Sequence, residues 1–506
     1  MNDLTRRAFM KVSSMAGALL AGSALPQLEA QQAPDGNARD FQAAGGPGGP
    51  GRGAKKAPGI QTIYALCEVT GGGKKVYGIA IQYDAVIDPS SLALDTYTAN
   101  VFPAVRGAGG GMMGAPGGPG GGGLPGGPVM AQNATVSVSK PRTVAAVYTN
   151  AEPGLLNSRK DISGKYVIAE FAHDPDLSAQ SADSDRVSIA QDKGIKTIDG
   201  RVYAATTTGM DNVAGRGNNV MVRGISAWEQ SHWWWDDTRS AMLEYSIYLP
   251  KSFLKNGGEN KEYPLVIAIT HSGTSYTGTS AETLTDGVIA SIWGLPEEQA
   301  QRECVVITPR YERTTMNDYW EHTYDVENTY RLVESFLKNT WNYGNPNLED
   351  RVDKVLKIDP KRVYTTGWSM GAMTSLWMMA KHPQTFAAGL IIAGQQRPGD
   401  VVNLTKQNVL ILTGENDAKS TTWNEKCVPI WEQAGAKVTR PQERLDPALI
   451  FPISDQKKLT AQIDDYLGKG GNITFLTFAD VDHMGAARKF FYIEAAKRWL
   501  LRQQKV

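Results

Sequence analysis

Apolar positions recur along this chain in two rhythms, and the change between them divides it. Between residues 59 and 225, short runs stand at 61–69, 75–83, 96–101, 133–139, 143–148, 165–171 and 219–225. Several alternate apolar with polar, and Gly72-Gly73 and Asp88-Pro89-Ser90-Ser91 supply turns between them. Alternation with period two predicts strands that bury one face. About seven such strands with no helical period predict a β-sandwich of immunoglobulin type.

Beyond residue 226 the grammar changes to strand alternating with helix. Strands are expected at 242–249, 264–270, 304–309, 387–392, 408–413 and 473–478, and helices at 281–292, 324–337, 421–433 and 485–501. The helix at 324–337 gathers Val326, Tyr330, Val333 and Leu337 on one face. This order predicts an α/β class domain, a mostly parallel sheet covered on both faces, with its chemistry at the carboxyl ends of the strands. At the junction, 228–237 holds Trp233-Trp234-Trp235. Consecutive aromatics there read either as a platform for a sugar or phenolic ring or as interdomain packing, and packing is the preferred reading.

Two stretches fit neither rhythm. Residues 31–58 and 107–128 are Gly/Pro-rich with almost no large side chains, too little apolar surface to offset the entropy of ordering. The first reads as a disordered linker, the second as a loop inside the β domain. Ahead of them, Arg6-Arg7 precedes a short, weakly apolar run to about residue 25. That pairing predicts a twin-arginine signal over residues 1–30, cleaved after Ala30, hence export through the twin-arginine machinery to the periplasm or medium. No other segment is apolar enough to span a bilayer, so no membrane span is expected in the mature chain.

Composition narrows the functions further. The 52 basic and 52 acidic residues cancel, which leaves no whole-chain argument for nucleic acid or an anionic membrane as partner. Cys67, Cys304 and Cys427 are far apart and odd in number, neither a disulfide framework nor a metal cluster, with one bridge left open. No cofactor motif is visible.

The chemistry centres on 361–383, KRVYTTGWSMGAMTSLWMMAKHP. A β-rich run, the turn Gly367-Trp368-Ser369-Met370-Gly371 and a helix stopped by Pro383 give strand, turn and helix. With 53 glycines in the chain, a bare G-x-S-x-G arises by accident on the order of 0.3 times, so the flanking strand and helix are what identify Ser369 as nucleophile rather than a helix cap. A serine hydroxyl needs a base, and the base an orienting carboxylate. In this architecture acid and then base follow the nucleophile along the chain. Of six histidines, His382 is too close to Ser369, and His483, after the last strand, is the expected base. The loop Gly414-Glu415-Asn416-Asp417-Ala418 supplies Asp417 as acid, with Glu415 weaker. Oxyanion donors are expected from the Met370 amide and, in the loop His271-Ser272-Gly273-Thr274-Ser275-Tyr276, from Gly273, with Ser272 in reserve. Trp368 and Tyr276 are candidate substrate-binding aromatics, although they serve equally as packing.

The segments YPLVIAITHSG, IDPKRVYTTGWSMGAMTS, LILTGENDA and DHMG resemble the α/β-hydrolase fold. Within it they resemble exported esterases related to polyhydroxybutyrate depolymerases and feruloyl esterases, a group also called predicted peptidases. Some members carry an N-terminal immunoglobulin-like domain, which residues 59–225 resemble. The resemblance implies Ser369 as nucleophile, Asp417 as acid, His483 as base and an ester, small or polymer-linked, as substrate, with aryl and hydroxycinnamoyl esters included. Two departures stand out: HSG where many relatives have HG or HDxG, and residues 438–471, longer than a minimal connection and so a candidate lid. A serine exopeptidase of the same fold and a non-catalytic polysaccharide-binding protein are the competing readings.

Overall fold

A computed structural model describes residues 58–505 except 104–138, 155–160, 174–182, 207–208, 213–218, 237–240, 257–260, 275–279 and 340–355. The expected export signal, the linker through residue 57, the Gly-rich stretch 107–128, all but the last residue of the strand expected at 133–139, and Tyr276 lie outside the described residues.

The first domain is built from β1 (Ile60–Thr70), β2 (Gly73–Tyr83), β3 (Tyr97–Pro103), β4 (Lys140–Arg142), β5 (Val144–Asn150), β6 (Tyr166–Phe171), β7 (Asp183–Gln191), β8 (Ile195–Lys196), β9 (Val202–Tyr203), β10 (Met210–Asp211) and β11 (Val220–Val222). One sheet runs β11-β1-β2-β6-β5 and the other β10-β7-β3-β4. Ile63, Val76, Ile79, Ile81, Val167, Val187 and Ile189 fill the space between them, each such side chain worth about 1.5–3 kcal/mol on burial. This is the immunoglobulin-like sandwich. Strand β7 is absent from the sequence reading, because DSDRVSIAQ opens on polar residues and hides its alternation until Val187.

The second domain has one sheet of nine strands: β12 (Trp228–Asp236), β13 (Ala241–Tyr248), β14 (Glu262–Ile269), β15 (Val305–Arg310), β16 (Lys357–Trp368), β17 (Ala388–Ile392), β18 (Asn408–Gly414), β19 (Val438–Thr439) and β20 (Ile473–Phe478). Their order is β12-β13-β15-β14-β16-β17-β18-β20-β19. All neighbours from β15 to β19 are parallel, while β12 and β13 join antiparallel at one edge. Along β14, Leu265, Ile267 and Ile269 enter one buried cluster and Val266 and Ala268 the other. Both faces are therefore covered, as a parallel sheet requires. This is the α/β-hydrolase fold.

Four local expectations change. The helix expected at 281–292 is only Ser280–Thr285, because the chain turns at Gly287 with φ of +114°. The expected terminal helix is two, His483–Lys489 and Glu494–Arg502, separated by Phe490–Tyr492, whose three aromatic side chains are all buried. The tryptophan run is strand β12: Trp228 and Trp234 are buried and Trp233 is 41% exposed, so alternation along a strand sorts them into packing and surface. Residues 438–471 contribute β19 and the helix Lys457–Gly468, and bury Leu445, Ile450, Leu459 and Ile463 against the sheet. They complete the sheet and its cover instead of forming a separate lid.

Candidate active site

At the end of β16 the chain reverses through Ser369, which sits at φ +55°, ψ −121° and leads directly into the helix Met370–Lys381. Such a dihedral is costly for a residue with a Cβ and persists only where the surroundings enforce it. Here the two flanking glycines do so. A Cβ on Gly371 would lie 2.0 Å from the Ile269 carbonyl oxygen, and one on Gly367 would lie 2.5 Å from the Gly371 carbonyl carbon. Helix, elbow and the end of β14 are thus pressed backbone to backbone, and the serine is lifted out of the sheet.

The Ser369 hydroxyl meets the imidazole of His483: Nε2 to Oγ is 3.0 Å. Nδ1 of the same ring is 2.7 Å from Oδ2 of Asp417. Asp417 follows β18, and its Oδ1 accepts the Ser420 N–H at 3.2 Å as the cap of the helix Ala418–Gln433. Burial alone would raise the Asp417 carboxyl, but the hydrogen bond and charge of His483, together with the Ser420 donors, outweigh it and hold it below the usual carboxylate range. The Asp417 side chain is 3% exposed and that of His483 38%, so the carboxylate is sealed and the imidazole faces the solvent side. Glu415, the weaker candidate, lies instead beside Arg444 at 3.5 Å.

The loop expected to supply the second oxyanion donor is arranged differently. The Met370 N–H belongs to the first turn of its helix, where amides have no intrahelical acceptor and favour negative charge. The Gly273 N–H, in contrast, donates to Nδ1 of His271 at 3.0 Å, and Nε2 of that ring is 3.1 Å from Asp286. In this arrangement the expected second donor is engaged by a neighbouring side chain. The sequence gives no sign of the orientation of the His271 ring. Trp368 is buried, lies 4.5 Å from the His271 ring and 5.1 Å from the His483 ring, and donates its indole N–H to the His483 carbonyl at 3.2 Å. It braces the histidine loop and does not offer an open face to a substrate.

Two further supports escaped the sequence reading. The loop between β15 and the helix Tyr324–Leu337 lies along the helix that follows Ser369, its Thr315 N–H on the Met370 sulfur at 3.2 Å and its Thr315 hydroxyl 3.4 Å from Thr374. From the other domain, the β1–β2 turn reaches the helix that carries His483. A Cβ on Gly71 would lie 2.1 Å from the Arg488 carbonyl oxygen, and Val69 and Val222 pack on the cluster that holds Ala486 and Ala487. Arg223 adds ion pairs to Glu68 at 3.4 Å and Glu297 at 2.9 Å. Only the Asp417-x-x-Ser420 spacing could have been read beforehand, as a capping signal.

All three cysteines are buried and free. Burial pushes the Cys304 and Cys427 thiols up to about 12. Among the described residues no helix is long and apolar enough to cross a membrane.

Comparison with known proteins agrees with this architecture. Residues 62–204 match the family described as the esterase Ig-like N-terminal domain, and residues 241–475 match the family of putative esterases. Among solved structures, a thermostable esterase is similar over 88% of this chain and 100% of its own, at 16% identity and a TM-score of 0.62, a likeness of fold. The feruloyl esterase module from Clostridium thermocellum in complex with sinapinate overlaps 55% of this chain and 90% of its own at 13% identity, with a TM-score of 0.34. A puromycin-hydrolyzing peptidase of Mycobacterium tuberculosis overlaps 63% and 46% at 14% identity, with a TM-score of 0.32. Overlaps as partial as the last two establish nothing about this chain. No curated protein matches the sequence.

Proposed function

We propose that this chain, an esterase-family domain joined to the Ig-like domain found in such esterases, is a serine hydrolase that cleaves carboxylic esters through an acyl-enzyme on Ser369. The observation that carries this reading is the unbroken line of hydrogen bonds from Asp417 through His483 to Ser369.

In the first step His483 Nε2 takes the hydroxyl proton as Oγ bonds to the ester carbonyl carbon, and the carbonyl oxygen becomes an oxyanion. The Met370 N–H stabilises that charge, and the Gly273 N–H joins it by turning away from His271. Asp417 keeps Nδ1 protonated, which leaves the Nε2 lone pair directed at the serine, and it stabilises the imidazolium. The imidazolium then protonates the leaving alkoxide as the carbon–oxygen bond breaks. Water, deprotonated by His483, adds to the acyl-serine, and collapse of the second intermediate releases the acid and restores the hydroxyl.

Parallel turnover of p-nitrophenyl acetate, an aryl hydroxycinnamate ester and aminoacyl p-nitroanilides tests the reaction class. Faster cleavage of the ester series supports the proposal, and faster cleavage of the anilides assigns the chain to peptidases of the same fold. Labelling by a fluorophosphonate that disappears in Ser369→Ala tests the nucleophile. Absence of labelling in the native chain would leave the non-catalytic reading. Export rests on Arg6-Arg7, and Lys at both positions is expected to trap the protein inside the cell.

A further inference from the structure

A cavity of about 870 Å³ opens beside the far half of the nucleophile's helix, lined in part by Arg313, His322, Tyr324, Trp377, Lys381 and His382. None of Ser369, His483 or Asp417 borders it. Its volume falls in the range of about 300–1,000 Å³ that holds small organic ligands. Trp377 follows Ser369 by eight positions, or about 12 Å along the helix axis at 1.5 Å per residue. The loop that touches Met370 through Thr315 continues to His322, whose ring is 5.1 Å from that of Trp377. One segment therefore runs from the elbow to the cavity.

The wall mixes ring faces with charge of both signs. Trp377 is half-buried and Tyr324 is 79% exposed at the lip. Lys381 is exposed and makes no hydrogen bond or ion pair among the described residues. Arg313 spends its Nε on Asp325 at 3.1 Å, which leaves the rest of its guanidinium directed elsewhere. Glu327, also in the wall, lies 3.4 Å from His382 and 3.8 Å from Arg331. His382 is stacked on Tyr330 with ring centres 3.3 Å apart, which fixes the floor.

We propose that this cavity binds a short acidic oligosaccharide, with ring carboxylates on Arg313 and Lys381, a sugar face on Trp377 and ring hydroxyls donating to Glu327. Two cations on separate elements, Arg313 on the loop and Lys381 on the helix, match carboxylates carried on separate rings better than the single centre of a compact anion such as phosphate. A single aromatic acid presents one carboxylate and few hydroxyls, and so leaves Glu327 and one cation unmatched. The inference deepens the esterase reading by placing the sugar part of a polymer-linked ester, yet its test does not depend on catalysis.

The full chain carrying Ser369→Ala is titrated calorimetrically with trigalacturonate, with cellotriose and ferulate as comparison ligands. Saturable binding of trigalacturonate is expected, weakened about tenfold by Lys381→Met or by Arg313→Gln, as for a lost charge-assisted contact, and weakened by added salt. Both substituted side chains are exposed, and unchanged melting curves show that the variants fold. Trp377→Ala is expected to abolish binding, and the two charge variants carry the test if it does not fold. No saturation with trigalacturonate, equal affinity for cellotriose, tighter binding of ferulate, or affinity unchanged in the charge variants would each overturn the assignment. Failure of fluorophosphonate labelling would instead remove the hydrolase reading, a result separate from this one.

Discussion

At the carboxyl ends of β14 and β16 two turns lie against each other. In the elbow, backbone presses on backbone: Gly371 sits where a Cβ would meet the Ile269 carbonyl, Gly367 where one would meet the Gly371 carbonyl, and Ser369 between them is at positive φ. In the oxyanion loop, the corresponding position is set by one side chain, since the Gly273 N–H rests on a histidine ring that is itself tethered to an exposed carboxylate, Asp286. In the reaction proposed above, a nucleophile has to be in place before substrate arrives, and close packing achieves that. A donor that is needed only when charge develops is held by a contact that can be exchanged.

Substitutions separate the two designs, beginning with the largest effect. Ser369→Ala is expected to lower kcat by about 10⁶-fold with little change in melting temperature, measured by steady-state turnover and thermal scans. Asp417→Asn keeps the geometry but releases the tautomer, and should cost about 10⁴-fold in kcat. Gly371→Ala is expected to destabilise the fold by about 3 kcal/mol, because the clash is with backbone that cannot yield. Gly273→Ala meets only the His271 ring, at 2.6 Å, so a small rotation relieves it, and its cost should stay below about 1 kcal/mol. Denaturant midpoints compare the pair, and equal losses would erase the contrast between a locked turn and an exchangeable one.

The smallest effect is on acid stability. Asp417 has its folded pKa lowered, so the unfolded chain binds the proton more readily. Its contribution is complete above the unfolded carboxylate value of about 3.9 and is lost as pH falls through the lowered one. Unfolding free energies measured below pH 5 should therefore fall less steeply in Asp417→Asn than in the native chain.

The same contrast explains what could be read in advance. The elbow, Asp417 and His483 were legible because each depends on order along the chain: strand, G-x-S-x-G, helix, then two loops after two later strands. The immunoglobulin-like and α/β layers were legible through their rhythms. Features fixed by tertiary contact were not. Buried Phe490, Phe491 and Tyr492 read as one continuing helix although they turn the chain. The ring orientation of His271 and the course of the Thr315 loop leave no periodic trace at all, and the indole of Trp368 gives no hint that it braces the histidine loop.

Three thiols, all enclosed and none joined, mean that assembly of this fold asks for no oxidant. It can be finished where glutathione keeps cysteines reduced, and nothing in it must be reshuffled after a change of redox compartment. The finished fold therefore carries no covalent cross-link whose loss in a reducing compartment would undo it.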